Sequence, residues 1–142
     1  MTKNEERKFK ISSYIENLDS SGIPEGEVEK TEICPVGIFR AEGGSLLLSY
    51  TEKSEGGEIF SEIAVESGTV TVCRSGAIVS EMRFREGESH RSLYQIPPYS
   101  FDTVIYTKKI RNTLSENGGR LDIFYTMSIG GQDKNVRMKI EV

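Results

Sequence analysis

From Leu121 onward, apolar and polar residues alternate with a period of two. Leu121, Ile123, Tyr125, Met127 and Ile129 share one face while Asp122, Thr126 and Ser128 share the other. Farther on, Val136, Met138, Ile140 and Val142 alternate with Arg137, Lys139 and Glu141. Successive strand side chains point to opposite faces, so both segments predict strands that bury one face and wet the other. Between them Gly130-Gly131-Gln132-Asp133-Lys134-Asn135 offers residues tolerant of positive φ and nothing apolar to bury, which predicts a hairpin.

The same cadence runs through the rest of the chain. Residues 1–7 are charged and polar and read as a solvated, mobile tail. Phe9, Ile11, Ser13 and Ile15 then alternate with Lys10, Ser12, Tyr14 and Glu16 and predict the first strand, ended by Asp19-Ser20-Ser21-Gly22. The run from Glu25 to Arg40 turns apolar around Ile33, Val36, Ile38 and Phe39, but Pro35 has no N–H for a ladder, so this strand is expected at an edge or with a bulge. Four segments joined by short glycine turns follow as a meander: Ser45 to Lys53, Glu58 to Glu66, Thr69 to Arg74 and Ala77 to Arg85. A weaker strand from His90 to Gln95 stops at Pro97-Pro98, and a long one from Phe101 to Leu114 precedes the turn Ser115-Glu116-Asn117-Gly118-Gly119. Any helix is expected to be a single turn. So many strands in an open sheet would leave exposed edges, and curling removes them. The expected fold is all-β: a single antiparallel, mostly up-and-down barrel of about eight to ten strands forming one domain over residues 1–142.

Composition narrows the function classes. The chain has 142 residues, enough for one core, and its 36% apolar share suits strands buried on one face. With 18 basic and 22 acidic residues the net charge is −4, which opposes nonspecific attraction to nucleic acid or anionic membranes. No stretch approaches the ~20 apolar residues of a membrane span, and no apolar segment backs the charged start, so a soluble cytoplasmic protein is expected, as a monomer or homodimer. Cys34 and Cys73 lie far apart, outside any CxxC spacing, and are expected to be buried free thiols.

Catalytic signatures are missing. No Gly-rich phosphate cradle occurs, no GxSxG elbow occurs, and the single histidine, His90, is expected at a rim or turn and not in a metal centre. No catalytic residue, metal or cofactor is therefore assigned. Lys108, Lys109 and Arg111, with Tyr106 nearby, suit a solvated face or guarded edge better than a base-stacking surface.

Polar residues that continue an apolar face carry the sharper signal. The row Leu46, Leu48, Tyr50 ends in Glu52, and the row Val70, Val72 ends in Arg74. At a barrel mouth Glu52 and Arg74 could reach water, pair with each other, or receive a polar ligand group beside Tyr50. Tyr94, Tyr106 and Tyr125 read as core rings with hydroxyls near the surface.

Several short pieces in order carry a resemblance: Tyr50-Thr51-Glu52, Arg74-Ser75-Gly76, Tyr94 leading to Pro97, Thr107-Lys108, Gly118-Gly119, Tyr125-Thr126-Met127 and the closing Lys139-Ile140-Glu141-Val142. Together they resemble the YwiB-like bacterial family of unknown function across nearly the whole chain. The resemblance implies a calycin-like β-barrel, in a group whose lipocalins and fatty-acid carriers hold small apolar ligands. The chain has no tryptophan and so departs from the Gly-x-Trp signature of lipocalins. The expected role is noncatalytic binding of a small molecule in or at the barrel mouth, by Tyr50, Glu52 and Arg74 with Tyr94, Thr107 and Tyr125 behind them. The alternatives are a protein interaction module with a side-chain-filled barrel, using the segment Glu25 to Arg40, and an enzyme using Glu52 or His90.

Overall fold

A computed structural model describes the backbone from residue 2 to residue 142 and side chains from residue 4 onward. Twelve strands form one sheet: β1 (Thr2–Lys8), β2 (Lys10–Asn17), β3 (Glu29–Ile33), β4 (Val36–Glu42), β5 (Ser45–Ser54), β6 (Gly57–Glu66), β7 (Thr69–Gly76), β8 (Val79–Phe84), β9 (Ser89–Ile96), β10 (Tyr99–Asn112), β11 (Arg120–Ile129) and β12 (Gln132–Glu141). Every pairing is antiparallel, and β4 to β12 follow one another as a meander. No helix occurs among the described residues.

Closure depends on two broken strands. The β1–β2 segment is interrupted at Phe9 and the β3–β4 segment at Cys34-Pro35, where Phe9 N–H donates to the Pro35 carbonyl at 2.9 Å. Because β2 bonds β12 on one side and β3 on the other, while β3 runs on into β4 beside β5, the pairings form a circuit and the sheet becomes a barrel. The strand count exceeds the expected eight to ten because these two breaks each divide a long strand. Pro35 sits where the bulge reading put it, since its missing N–H costs nothing at a break.

The opening segment differs from expectation. Apart from Met1, which lies outside the described residues, it is not a tail but strand β1, paired with β4 from Thr2↔Glu42 to Lys8↔Val36. Arg7 explains how so charged a strand is held: its guanidinium lies 5.5 Å from the Phe39 ring centroid, and its NH2 donates to the Asn117 carbonyl at 3.3 Å. The last hairpin is tighter than the sequence suggested. Gly130 and Gly131 alone make the turn, with φ of 56° and 83°, and residues from Gln132 to Asn135 join β12.

Cysteine burial is a second correction. Cys34 and Cys73 are free but exposed, Cys34 at the β3–β4 break and Cys73 on the outer face of β7 between Glu62 and Glu81. His90 is the second residue of β9, next to the turn that opens the strand and across from Ile105, with Nε2 buried and unpartnered.

Cross-strand register divides the interior into layers. Ala41, Leu46, Val65, Val70 and Phe84 are successive partners in one row, and Phe39, Leu48, Ile63, Val72 and Met82 in the next. All ten are buried. Phe9, Leu121, Ile123 and Ile140 fill the same end from the opposite wall. Each such large side chain contributes about 1.5–3 kcal/mol by leaving water, so this half of the barrel is the stabilising core. The third row is different in kind, and it forms the site.

Candidate functional site

One residue pair farther along the strands, the partners are Tyr50, Ser61, Arg74, Ser80 and Tyr94 on β5 to β9. Alternation places these side chains inward, above the apolar layers. Ser61 and Ser80 are buried; Arg74 Nε and Ser80 Oγ have no hydrogen-bond partner, and Ser61 Oγ has the Tyr50 hydroxyl alongside without sound hydrogen-bond geometry. Buried polar atoms are nearly always satisfied, by protein, by ordered water or by a bound molecule. Three orphans on adjacent strands of one row therefore mark a place where the interior does not complete itself.

Two members of the row, Arg74 and Tyr94, reach a cavity of about 330 Å³. Arg74 and Tyr94 line it from one wall and Tyr125 from the other, with Lys134, Ser13, Thr31 and a set of apolar side chains completing it. The cavity lies toward the end where the β5–β6, β7–β8, β9–β10 and β11–β12 turns gather. There the Pro97-Pro98 turn, whose peptide bond is cis, carries β9 into β10. Pairing between β8 and β9 is limited to Val79↔Gln95 and Ser80↔Tyr94, so the wall beside Tyr94 has the fewest ladder bonds in the barrel.

Tyr50 packs edge-on against Phe9, ring centroids 6.4 Å apart, and Tyr125 tilts against Phe84 at 4.7 Å. Burial pushes the Tyr50 phenol above its ordinary value, with Arg74 and Ser61 alongside opposing the rise and Glu52 adding to it. Burial pushes Tyr125 up to about 12, against a smaller opposing effect of Arg74 and a reinforcing one from Tyr94. Both phenols stay neutral near pH 7 and can donate as well as accept.

The residues singled out in the sequence thus separate. Arg74, Tyr94 and Tyr125 share the cavity, and Tyr50 adjoins Arg74. Glu52 pairs in register with Ile59, one row beyond Tyr50, and forms no ion pair with Arg74 among the described residues. Thr107 is fully buried beside its β11 partner Tyr125, with Oγ1 unpartnered, and does not line the cavity. Sequence reasoning missed Ser61, Ser80 and Lys134. The signal is present for the serines, since Ser61 stands between Ile59 and Ile63 on the inward parity and Ser80 leads Met82 and Phe84; Lys134 falls within the polar run from Gly130 to Asn135 that reads as a turn. The basic cluster is outside this site, with Lys108 exposed at the β10 bulge and donating to Asn135 Oδ1 at 3.4 Å.

Comparison with known proteins agrees with this architecture. The chain is 30% identical over 112 residues to the uncharacterized beta-barrel protein YwiB of Bacillus subtilis (strain 168), a match covering 79% of each chain. It superposes on the crystal structure of the ywiB protein from Bacillus subtilis with a TM-score of 0.76 and 27% identity, over 96% of this chain and 92% of that one. A family model described as a domain of unknown function (DUF1934) matches residues 17–141, and the chain belongs to that family.

Proposed function

We propose that this protein binds a small molecule, without catalysis, in the cavity bordered by Arg74, Tyr94 and Tyr125. The observation that carries this reading is Arg74, whose buried Nε has no partner, lining a cavity in an otherwise packed barrel, with Ser61 Oγ and Ser80 Oγ unpartnered on the strands either side of it. An apolar-lined pocket with a few convergent polar groups is what a ligand site needs, the polar groups for orientation and the rest for contact area. Tyr50 supports Arg74 from behind, while Glu52 and Thr107 serve as flanking groups. No general base is invoked. Two free thiols suit work in the reducing cytoplasm.

Native mass spectrometry of protein purified from its own host, beside the same sample after denaturation, tests the reading. A noncovalent mass lost on denaturation is expected. A folded barrel that carries nothing and admits no small probe would overturn it.

A second reading has its own observation. Along the segment Glu25 to Arg40, Val28, Val36 and Ile38 are exposed at 54%, 59% and 46%, and β3 ends the order of the sheet with one edge unpaired. This edge could take an added strand from a partner or a second copy. Sedimentation with and without a Val28→Lys substitution, directly before β3, separates the readings: loss of a dimer would support the edge, and an unchanged monomer would remove it.

A further inference from the structure

We infer that the ligand of this cavity is an organic monocarboxylate with an apolar body, its carboxylate held by Arg74. The inference rests on the binding role proposed above and adds the charge and shape of what is bound.

Charge comes first. Acidic residues outnumber basic ones in the chain, 22 to 18, yet the charged side chains lining the cavity are Arg74 and Lys134, with no aspartate or glutamate among its lining residues. Neither cation forms an ion pair among the described residues, although surface arginines elsewhere do, as Arg40 with Glu42 and Arg85 with Glu88. A guanidinium with a buried, partnerless Nε has been partly taken out of water and given no anion in return. An anion arriving with a ligand would offset that desolvation.

The planar guanidinium fork matches a carboxylate with two parallel hydrogen bonds, where an ammonium offers a point charge. Arg74 therefore takes the carboxylate and Lys134, on the facing wall, strengthens the field without having to touch it. The Tyr94 and Tyr125 hydroxyls are further donors in the lining, and Ser80 Oγ lies beside Arg74 on the neighbouring strand. The remaining surface is supplied by the apolar side chains of Ile15, Met82, Met127, Ile129, Val136 and Met138, with Ser13 and Thr31 on β2 and β3 beside them. Three methionines among six give an adaptable wall, suited to a flexible or irregular hydrocarbon more than to a rigid polar ring. At about 30 Å³ per water-sized group, the volume of about 330 Å³ holds roughly ten to twelve heavy atoms. A wholly apolar ligand would leave Arg74 as unsatisfied as it is now.

Decanoate, decanol and decylammonium differ only in the head group and test the inference by calorimetric titration into the full chain. Decanoate should bind about tenfold or more tighter than the other two. In Arg74→Gln the decanoate affinity should fall about tenfold while decanol is unchanged, and Arg74→Lys should fall between them. Should Arg74→Gln fail to fold, Lys134→Gln is the second variant, with a severalfold loss for decanoate alone, matched by weakening of the wild type at high salt. Equal binding of all three probes, tighter binding of decylammonium or of decyl phosphate, or indifference of decanoate to both substitutions would overturn the carboxylate assignment and leave small-molecule binding intact. Failure of every probe to bind a folded barrel would instead remove the binding role itself.

Discussion

Arg137 and Asp122 are diagonal neighbours across β11 and β12 on the outer face, Arg137 standing two residues from Lys139, the register partner of Asp122, and Arg137 NH2 donates to Asp122 Oδ1 at 3.1 Å. Arg120 Nε donates to the other oxygen at 2.8 Å, and the Arg137 guanidinium also lies over the Phe124 and Tyr14 rings, 5.2 and 5.8 Å from their centroids. The carboxylate is thus buried under two arginines on a face that the alternation alone would leave wet.

Burial by itself would raise the Asp122 pKa, but hydrogen bonds and charge from Arg120 and Arg137 outweigh it and hold the carboxyl below the usual aspartate value. A folded pKa below the unfolded one contributes stability that is fully present above about pH 4 and is lost as pH falls through the folded value. Asp122→Asn should cost about 1–3 kcal/mol at pH 7 and should flatten the loss of stability on acidification. Urea midpoints from pH 7 down to about pH 3 check both effects; parallel curves for variant and wild type would refute the assignment.

Gly37 on β4 is inward, and a Cβ there would meet the Ser49 carbonyl oxygen, the Phe9 ring edge at 2.8 Å and Tyr50 Cβ at 3.0 Å. Backbone cannot yield as a side-chain tip can. Gly37→Ala should therefore destabilise by about 1–3 kcal/mol through overpacking, and should disturb Tyr50, the support of Arg74. Gly56→Ala, whose Cβ would meet nothing closer than Ala77 Cβ at 3.6 Å, is the tolerated control. Thermal melts of the two variants decide; equal midpoints would show that β4 can shift away.

Period-two alternation made most strands legible, because each half-buried strand writes its inward face directly into the sequence. Arg74 and Tyr50 were legible for the same reason: each prolongs an apolar row. The parity of Val70, Val72 and Arg74 also places Cys73 outward, a signal that the general tendency of cysteine to be buried obscured. Strand β1 was not legible, since Thr2–Lys8 has no apolar alternation and is held by pairing with β4, a contact between distant segments. Ser61 and Ser80 came together with Arg74 only once register was known, because a one-residue slip would turn every one of them to the other face.

Cys73 is exposed, yet partial burial among the sheet's side chains raises its thiol pKa, and the carboxylates of Glu81 and Glu62 on either side raise it further. Less thiolate at neutral pH means slower alkylation. Native iodoacetamide labelling should modify Cys73 more slowly than a free-thiol reference, and Glu81→Gln should speed it roughly two- to fivefold. Peptide mass spectrometry over a time course reads the rate at Cys73 itself; a rate indifferent to Glu81 would remove the carboxylate from the account.

Tyr125 gives the barrel an alkaline limit. Its folded pKa of about 12, raised first by burial, lies above the value near 10 expected in the unfolded chain. A raised folded pKa contributes stability that is fully present below about pH 10 and is lost as pH rises through the folded value, because the unfolded state releases the proton first. Tyr125→Phe removes that contribution while keeping the ring against Phe84. The wild type should therefore lose stability between about pH 10 and 12 more steeply than Tyr125→Phe, and the last phenolate to appear in a near-ultraviolet absorbance titration should be absent from the variant. Urea midpoints with the same slope in both proteins over that window would mean that the Tyr125 hydroxyl reaches water, and that the cavity beside Arg74 is wetter than its lining implies.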